Sequence, residues 1–393
     1  MYTVFSPIKL GPVEIKNRFI HSATSEGLAL ATGEVTDELV KRYKILAKGE
    51  IGLIIPGYMY IQGSGKAFLH QIGIHNDDMI PGLTKLAKSV HSENGKILFQ
   101  LAHAGRQTTK NIAGTIPMGP SSFDRDPLNL VKPRKMEEED ILSIIKAFGF
   151  AANRAVAAGA DGVQIHAAHG YLINQFLSPF HNHRSDEWGG TDENRFRFIK
   201  EVYQEIKTSI PKDKIVFVKL NTNDFTPKEG IMPSLAVRYA KWLCDLGIDG
   251  VEVSCGSINY SFMNMCRGDV PVSDLVEGLP WWKKPVGWLM MKRLEGKYKL
   301  EEGYNLNAAR MIKSEIGTVP LSVVGGLRSL AHMSNVIEQE YADMISMSRP
   351  FIREPSIVKK FKEGKADTVS CLSCNKCLAA VANNMPVRCY NKG

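Results

Sequence analysis

Two short runs in the sequence combine residue types that can do chemistry. The first is His166-Ala-Ala-His169-Gly-Tyr171. Imidazoles at this spacing can ligate a metal, but no neighbouring carboxylate completes a zincin-type motif, and such pairs also occur in cores and on surfaces. Tyr171 adds a phenol, which with an ordinary pKa of about 10 keeps its proton at neutral pH and serves as a donor or a packing group. The second run is Cys371, Cys374, Cys377 and Cys389, spaced C-x2-C-x2-C-x11-C. Three thiols at two-residue intervals can wrap one corner of an iron–sulfur cubane while the fourth returns from further along. A structural zinc more often uses two separated CxxC pairs, and free thiols are the remaining reading. Four of the seven cysteines fall in the last 23 residues, a crowding that in a reducing compartment points to metal before disulfides.

These groups need a frame, and a recurring pattern supplies one. A helical stretch ends in a small turn with Gly or Asp, then a short apolar run follows. The pattern appears as AAGADGVQIH (157–166) and DLGIDGVEVS (245–254), and more loosely as KGEIGLIIPG (48–57) and EYADMISMS (340–348). Buried parallel strands read as continuous apolar runs because helices cover the sheet. Arg18–Ala23, Lys96–Leu101, Ile215–Leu220 and Pro320–Val324 bring the strands to eight. Helices are expected over Glu137–Ala158, with Ile141, Ile145, Phe148 and Ala152 at helical spacing, over Glu193–Thr208 with Thr191 as N-cap, and over Ser234–Leu246. The alternation predicts an α/β fold, a (β/α)8 TIM barrel, with an open doubly wound sheet as the alternative. An N-terminal hairpin over 5–16 turns at Gly11-Pro12, a long capping loop over 255–305 follows strand six, and a short cysteine-rich appendage ends the chain. The expected division is a barrel over 1–360 and a tail over 361–393.

Barrels commonly bind phosphate with the loops after strands seven and eight. Here those loops are Gly325-Gly326-Leu327 and Ser348-Arg349-Pro350. Glycines let backbone amides approach an anion, and Arg349 adds a planar fork of donors. The stretch HAAHGYLINQFLSPFHNHRSDEWGGTDENRFRF (166–198) resembles the signature of the Old Yellow Enzyme family of FMN-dependent ene-reductases. KNRF (16–19), FQLAHAGRQ (99–107), VVGGLRS and SRPFIREP follow in the family's order, so the resemblance covers residues 1–360.

The resemblance implies FMN, with Ala23, Ser25, Gly57, Gln100 and Lys219 around the isoalloxazine and Gly325, Gly326, Ser348 and Arg349 around the phosphate. It implies that His166 and His169 donate hydrogen bonds to the oxygen of an α,β-unsaturated carbonyl or carboxyl compound, stabilising the developing enolate as hydride passes from flavin N5 to the β-carbon. Tyr171 is expected to give the α-carbon its proton. Lys219 stands where the family generally has arginine, Ser348 where it has glycine, and Ser25 where it has threonine or cysteine. Tyr260 and Arg267 are candidates for a second donor, and specificity is expected in 255–305 and around Tyr58 to Phe68. CLSCNKC is similar to the cluster-binding segment of the multidomain branch that includes dienoyl-CoA reductase, 2-enoate reductase and trimethylamine dehydrogenase. That likeness implies a [4Fe–4S] cluster on Cys371, Cys374, Cys377 and Cys389. Those relatives continue into domains for a second flavin and nicotinamide, whereas this sequence ends four residues after Cys389. A cluster here is therefore expected to take electrons from a donor protein or to be structural, with NAD(P)H as the alternative donor.

Composition narrows the remaining classes. A net charge of +8 is mild for 393 residues, and the basic stretch Lys283–Lys299 alternates with Trp and Met, which reads as a solvated rim with no nucleic-acid footprint. No run of 18 uncharged apolar residues predicts a membrane span, and the N-terminus lacks a secretory pattern, so a cytoplasmic protein is expected. A homo-oligomer is left open. Two other functions share these features: a flavin amine dehydrogenase or demethylase, for which Trp281, Trp282 or Trp288 would build an aromatic cage, and an FMN and iron–sulfur electron-transfer subunit of a larger complex.

Overall fold

Eight short runs pair side by side in parallel and close on themselves. They are β1 (Phe19–His21), β2 (Leu53–Ile54), β3 (Lys96–Ala102), β4 (Gly162–Ala167), β5 (Ile215–Asn221), β6 (Gly250–Ser254), β7 (Leu321–Val324) and β8 (Met344–Met347). Ile345 of β8 pairs with Phe19 of β1, and Leu53 of β2 pairs with Lys96 of β3, so no edge is left among these strands. This computed structural model describes residues 3–122 and 131–391. Each strand feeds a helix: α1 (Asp37–Lys48), α2 (Ile80–His91), α3 (Glu138–Ala157), α4 (Asp192–Ser209), α5 (Pro233–Asp245), α6 (Leu306–Lys313), α7 (Leu330–Glu338) and α8 (Ile357–Lys362). The closed barrel is the fold the alternation predicts. Thr191 caps α4, its side chain accepting from the Asn194 amide.

Alternation along the strands sorts the core into two shells. Outward residues such as Ile97, Phe99, Val163, Ile165, Val216 and Val218 join the apolar layer under the helices. Inward residues Leu98, Ile215, Phe217 and Met344 form a separate cluster with Leu10 and Ile15 of the N-terminal hairpin, Ile8–Leu10 against Val13–Ile15. The hairpin therefore plugs the base of the barrel. Gly250 opens β6 beneath it, where an added Cβ would fall 2.7 Å from the Leu10 side chain.

The recurring aspartate has a structural cause. Asp161, Asp249 and Asp343 each precede an even-numbered strand. Each donates its own N–H to the carbonyl of Ile97, Val216 or Leu321 on the preceding strand. Each carboxylate then accepts the N–H of that same residue, at 2.9, 2.7 and 2.8 Å respectively. Three seams of the barrel are stitched this way at the end opposite the mouth. The first seam lacks the aspartate, as its looser sequence indicates, and uses Asn17, whose amide donates to the Glu50 carbonyl at 2.7 Å.

The connection after β6 is more ordered than a loop. It carries helices Ile258–Met265, Val272–Val276 and Lys284–Lys292 over an apolar cluster of Met263, Val270 and Val272. The cysteine-rich tail leans on it, with Asn383 donating to the Asp274 carbonyl at 2.6 Å. The tail also reaches the barrel, where the Val387 amide donates to the Glu26 carbonyl at 2.7 Å. Among the described residues, no helix is long and apolar enough to cross a membrane.

Burial pushes the Asp161 carboxyl up, but hydrogen bonds from His91 and the Ile97 amide and the charges of His91 and Lys96 outweigh it, so its pKa lies below the ordinary value. A depressed carboxylate stabilises the fold above its unfolded pKa and loses that contribution as pH falls through the folded one. Asp161→Ala should cost about 2 kcal/mol in neutral urea denaturation. The gap from wild type should narrow below the carboxylate range; a gap independent of pH would contradict the stitching role.

Candidate functional site

Toward the C-terminal mouth the inward positions turn from apolar to polar. Two residues beyond Leu98 stands Gln100, and two beyond Phe217 stands Lys219. Gln100 donates to Gln164 at 2.5 Å, and Gln164 donates to Glu252 at 2.9 Å. The Lys219 ammonium lies 3.4 Å from Glu252 and donates to the Ser22 hydroxyl at 2.8 Å. Register explains the meeting, since Gln100 pairs with Gln164 and Lys219 with Glu252 on adjacent strands. All five side chains are buried. Glu252 keeps one carboxylate oxygen, Oε1, without a partner among the described residues.

The next inward layer holds the imidazoles. His166 follows Gln164 by two on β4, and its ring centroid lies 5.2 Å from that of His169, nearly perpendicular. His169 has a left-handed backbone, φ 63°, with its carbonyl accepting from Gln107 at 2.8 Å. Its Nε2 is 2.7 Å from the Ser254 hydroxyl. Tyr171 begins the short helix Leu172–Leu177 as its N-cap residue, placing its ring 4.9 Å from His166. Burial, the other imidazole and Lys219 push His166 far below its ordinary pKa, and burial with Lys219 does the same to His169, so both are neutral. Burial, followed by the neighbouring Tyr58, pushes the Tyr171 phenol well above its usual value. The site thus brings two uncharged N–H donors and a protonated phenol together. His166 Nδ1 is buried without a partner among the described residues.

The remaining expected positions ring the same mouth. Ala23 packs on the inner apolar cluster, and Ser348 shares a 2.7 Å hydroxyl contact with Thr24. Gly57 donates its amide to Glu26 at 2.7 Å, and a Cβ there would collide with that carboxylate, so glycine is required by Glu26. Gly326 is left-handed, φ 73°, and packs so closely that a Cβ would lie 2.6 Å from the Glu301 carbonyl. Arg349 turns one nitrogen to the carbonyls of Cys266 and Arg267 and to Asn375, at 3.3, 3.0 and 2.5 Å. Arg328, which sequence reasoning passed over inside VVGGLRS, is buried and donates to Ser373. Its Nε and Nη1 have no partner among the described residues. A buried guanidinium with spare donors two residues beyond Gly326 suits an anion. A polar floor with a free carboxylate oxygen likewise suits a heterocycle that both donates and accepts, so the donor set fits a phosphorylated flavin.

Cys371, Cys374, Cys377 and Cys389 line one cleft together with Arg349 and Arg353. Arg353 donates to the Cys389 sulfur at 3.5 Å. Burial pushes the Cys377 thiol up to about 11, Arg349 opposes this, and Cys371 and Cys374 reinforce it. Among the described residues, no three His, Cys, Asp or Glu side chains form a group that could hold one metal ion. Of the suggested second donors, Tyr260 receives a hydrogen bond from Arg106 at 3.1 Å, while Arg267 pairs with Glu301 at 2.8 Å. Trp281, Trp282 and Trp288 are 83%, 61% and 45% exposed, so they form no enclosed aromatic cage.

Comparison with known proteins places the chain in a family. The profile of the NADH:flavin oxidoreductase / NADH oxidase family matches residues 3–262. An NADH oxidase of Thermoanaerobacter brockii is 31% identical over 98% of this chain and 55% of its own length. An NADPH dehydrogenase of Clostridium acetobutylicum is 30% identical over 90% of this chain and 93% of its own. The structure of a 2-naphthoyl-CoA reductase complex superposes with a TM-score of 0.85 at 24% identity, over 98% of this chain and 56% of that one; this likeness shows the fold alone. The chain thus spans about half the length of two of these proteins and nearly all of the third. Profile and relatives show that the chain belongs to the NADH:flavin oxidoreductase / NADH oxidase family, a family of flavin-dependent oxidoreductases.

Proposed function

We propose that this protein reduces the activated C=C bond of an α,β-unsaturated carbonyl or carboxyl compound, with FMN in the barrel mouth. The observation that carries the reading is the meeting of two neutral imidazoles and a protonated phenol directly above a buried polar floor. Gln100 and Lys219 would hold the pyrimidine edge of the ring system, with Ala23, Ser25 and Gly57 beside it. Gly325, Gly326, Ser348, Arg349 and Arg328 would hold the phosphate. Bound FMN supplies a hydride for the β-carbon.

The chain's own residues then handle oxygen and proton. His166 and His169 donate N–H bonds to the substrate oxygen, and these bonds strengthen as negative charge develops there. Neutral rings do this without leaving a proton on the oxygen. Ser254 holds one nitrogen of His169 and so fixes how the ring is presented. Tyr171, raised in pKa, keeps its proton until the α-carbon becomes a strong base. Lys219 would offer positive charge to a bound flavin, tempered by Glu252 at 3.4 Å.

The tail, taken as residues 361–393 appended to a barrel of 1–360, would hold a [4Fe–4S] cluster through Cys371, Cys374, Cys377 and Cys389. Four cysteines lining one cleft, three of them at two-residue intervals, suit the corner of a cluster, whereas a structural zinc more often uses two separated CxxC pairs. Such a cluster would supply a route for electrons from a donor protein, with NAD(P)H as the alternative donor. The exposed Trp281, Trp282 and Trp288 lend no support to amine oxidation.

FMN-loaded protein reduced without oxygen should be reoxidised by a simple cyclic enone in one turnover. Tyr171→Phe should slow that step by about 100-fold while binding FMN as before; equal rates would remove Tyr171 from the mechanism. Anaerobically purified protein should carry about four irons and four sulfides per chain. Cys374→Ser should lose them and keep FMN, whereas stoichiometric zinc would reassign the tail.

A further inference from the structure

Tyr58 has no part in the proposal above, yet its hydroxyl lies 2.5 Å from that of Tyr171. The two rings are 4.8 Å apart and tilted by 45°. Tyr58 also stands 5.6 Å from the His166 ring and meets Phe68 edge-on at 5.9 Å. Ser25 acts on the same phenol, drawing its pKa down. The Tyr58 and Tyr171 oxygens are thus in direct hydrogen-bond contact beside the imidazole pair.

The two phenols are not equivalent. Burial raises both, but Tyr171 is driven higher still by Tyr58. In Tyr58 the hydrogen bonds of Tyr171 and Ser25 act against burial, leaving it at about 12. A negative charge on this pair is thus better held by Tyr58, which would then accept from Tyr171 with Ser25 lowering its pKa further, than by Tyr171, which would accept from Tyr58 alone.

We propose that Tyr58 is a positioning residue for proton delivery, which replaces the proton Tyr171 gives to the substrate and holds the resulting charge between Tyr171 and Ser25. The inference rests on the ene-reduction reading. As hydride reaches the β-carbon, the substrate takes on enolate character and its α-carbon draws a proton in the same step. The Tyr171 O–H bond breaks as the α-carbon C–H bond forms, and the Tyr58 proton moves to the Tyr171 oxygen. The phenolate ends on Tyr58, and a proton from water at the mouth restores it. Two protons are therefore in motion in one step, and Tyr171 never carries a full charge beside His166.

The test is a single-turnover stopped-flow measurement of reduced, FMN-loaded protein with 2-cyclohexenone in mixtures of H2O and D2O. Wild type should give a rate that curves with deuterium fraction, as two moving protons require. Tyr58→Phe keeps the ring and its packing; it should be about 10-fold slower and linear in deuterium fraction, with FMN binding unchanged. A Tyr58→Phe rate and curvature equal to wild type overturns the relay. A linear wild-type dependence also overturns it, whether or not the variant holds FMN. Tyr171→Phe separates the two readings. If it is slow while Tyr58→Phe is normal, only the relay fails; if Tyr171→Phe is itself normal, the donor role of Tyr171 fails and the relay with it.

Discussion

The Lys219–Glu252 pair, buried inside the barrel, constrains everything above it. Taking both charges out of water costs several kcal/mol each, and breaking such a pair by removing one partner costs roughly 3–5 kcal/mol. Their 3.4 Å contact is tolerable only because Ser22 and Gln164 bond the same groups. Gln164 in turn orients Gln100. Side chains from five strands, β3 to β6 and the end of β1, are thus committed to one polar layer. Below that layer the bore is apolar and sealed by the hairpin. Unspent polar atoms remain at Glu252 in that layer and at His166 above it, which would suit a polar ring.

This layering divides labour between the two ends of the barrel. At the base, Asp161, Asp249 and Asp343 tie neighbouring strands and Leu10 and Ile15 fill the centre; these contacts serve stability. At the mouth, the same strands end in residues spent on other polar groups, and the connections carry the chemistry. The lobe after β6 and the cysteine tail meet there. Arg349 touches both, through the Cys266 and Arg267 carbonyls and through Asn375. Arg328 lies between the Gly325-Gly326 turn and Ser373 of the tail. The Gly325-Gly326 and Ser348-Arg349 loops and the thiol cleft are therefore joined by two guanidinium groups.

Much of this frame was legible in sequence because it is local. The Gly-x-Asp-Gly turns announce strand starts, Thr191 marks a helix start, and Gly11 marks the hairpin turn. The His166-x-x-His169-x-Tyr171 spacing at the end of a strand is enough to bring three side chains to one rim. What escaped depends on partners far away in the chain. Glu252, a charge inside DGVEVS, was a visible oddity, but its meaning needs Lys219 beside it. Tyr58 becomes notable only when Tyr171 folds over it, and Gly57 is fixed by Glu26 rather than by open space. The connection after β6 looked like a loop because its helices are short and its cluster of Met263, Val270 and Val272 is built from residues without clear periodicity.

The polar floor has its use in a flavin resting over it. The most direct measurement is a fluorescence titration of the protein with FMN, in wild type and in Lys219→Met. The account predicts saturation at one FMN per chain, and affinity weakened at least about 10-fold, or roughly 1.4 kcal/mol, in the variant. Absence of stoichiometric FMN binding, or equal affinity in the two proteins, would contradict it.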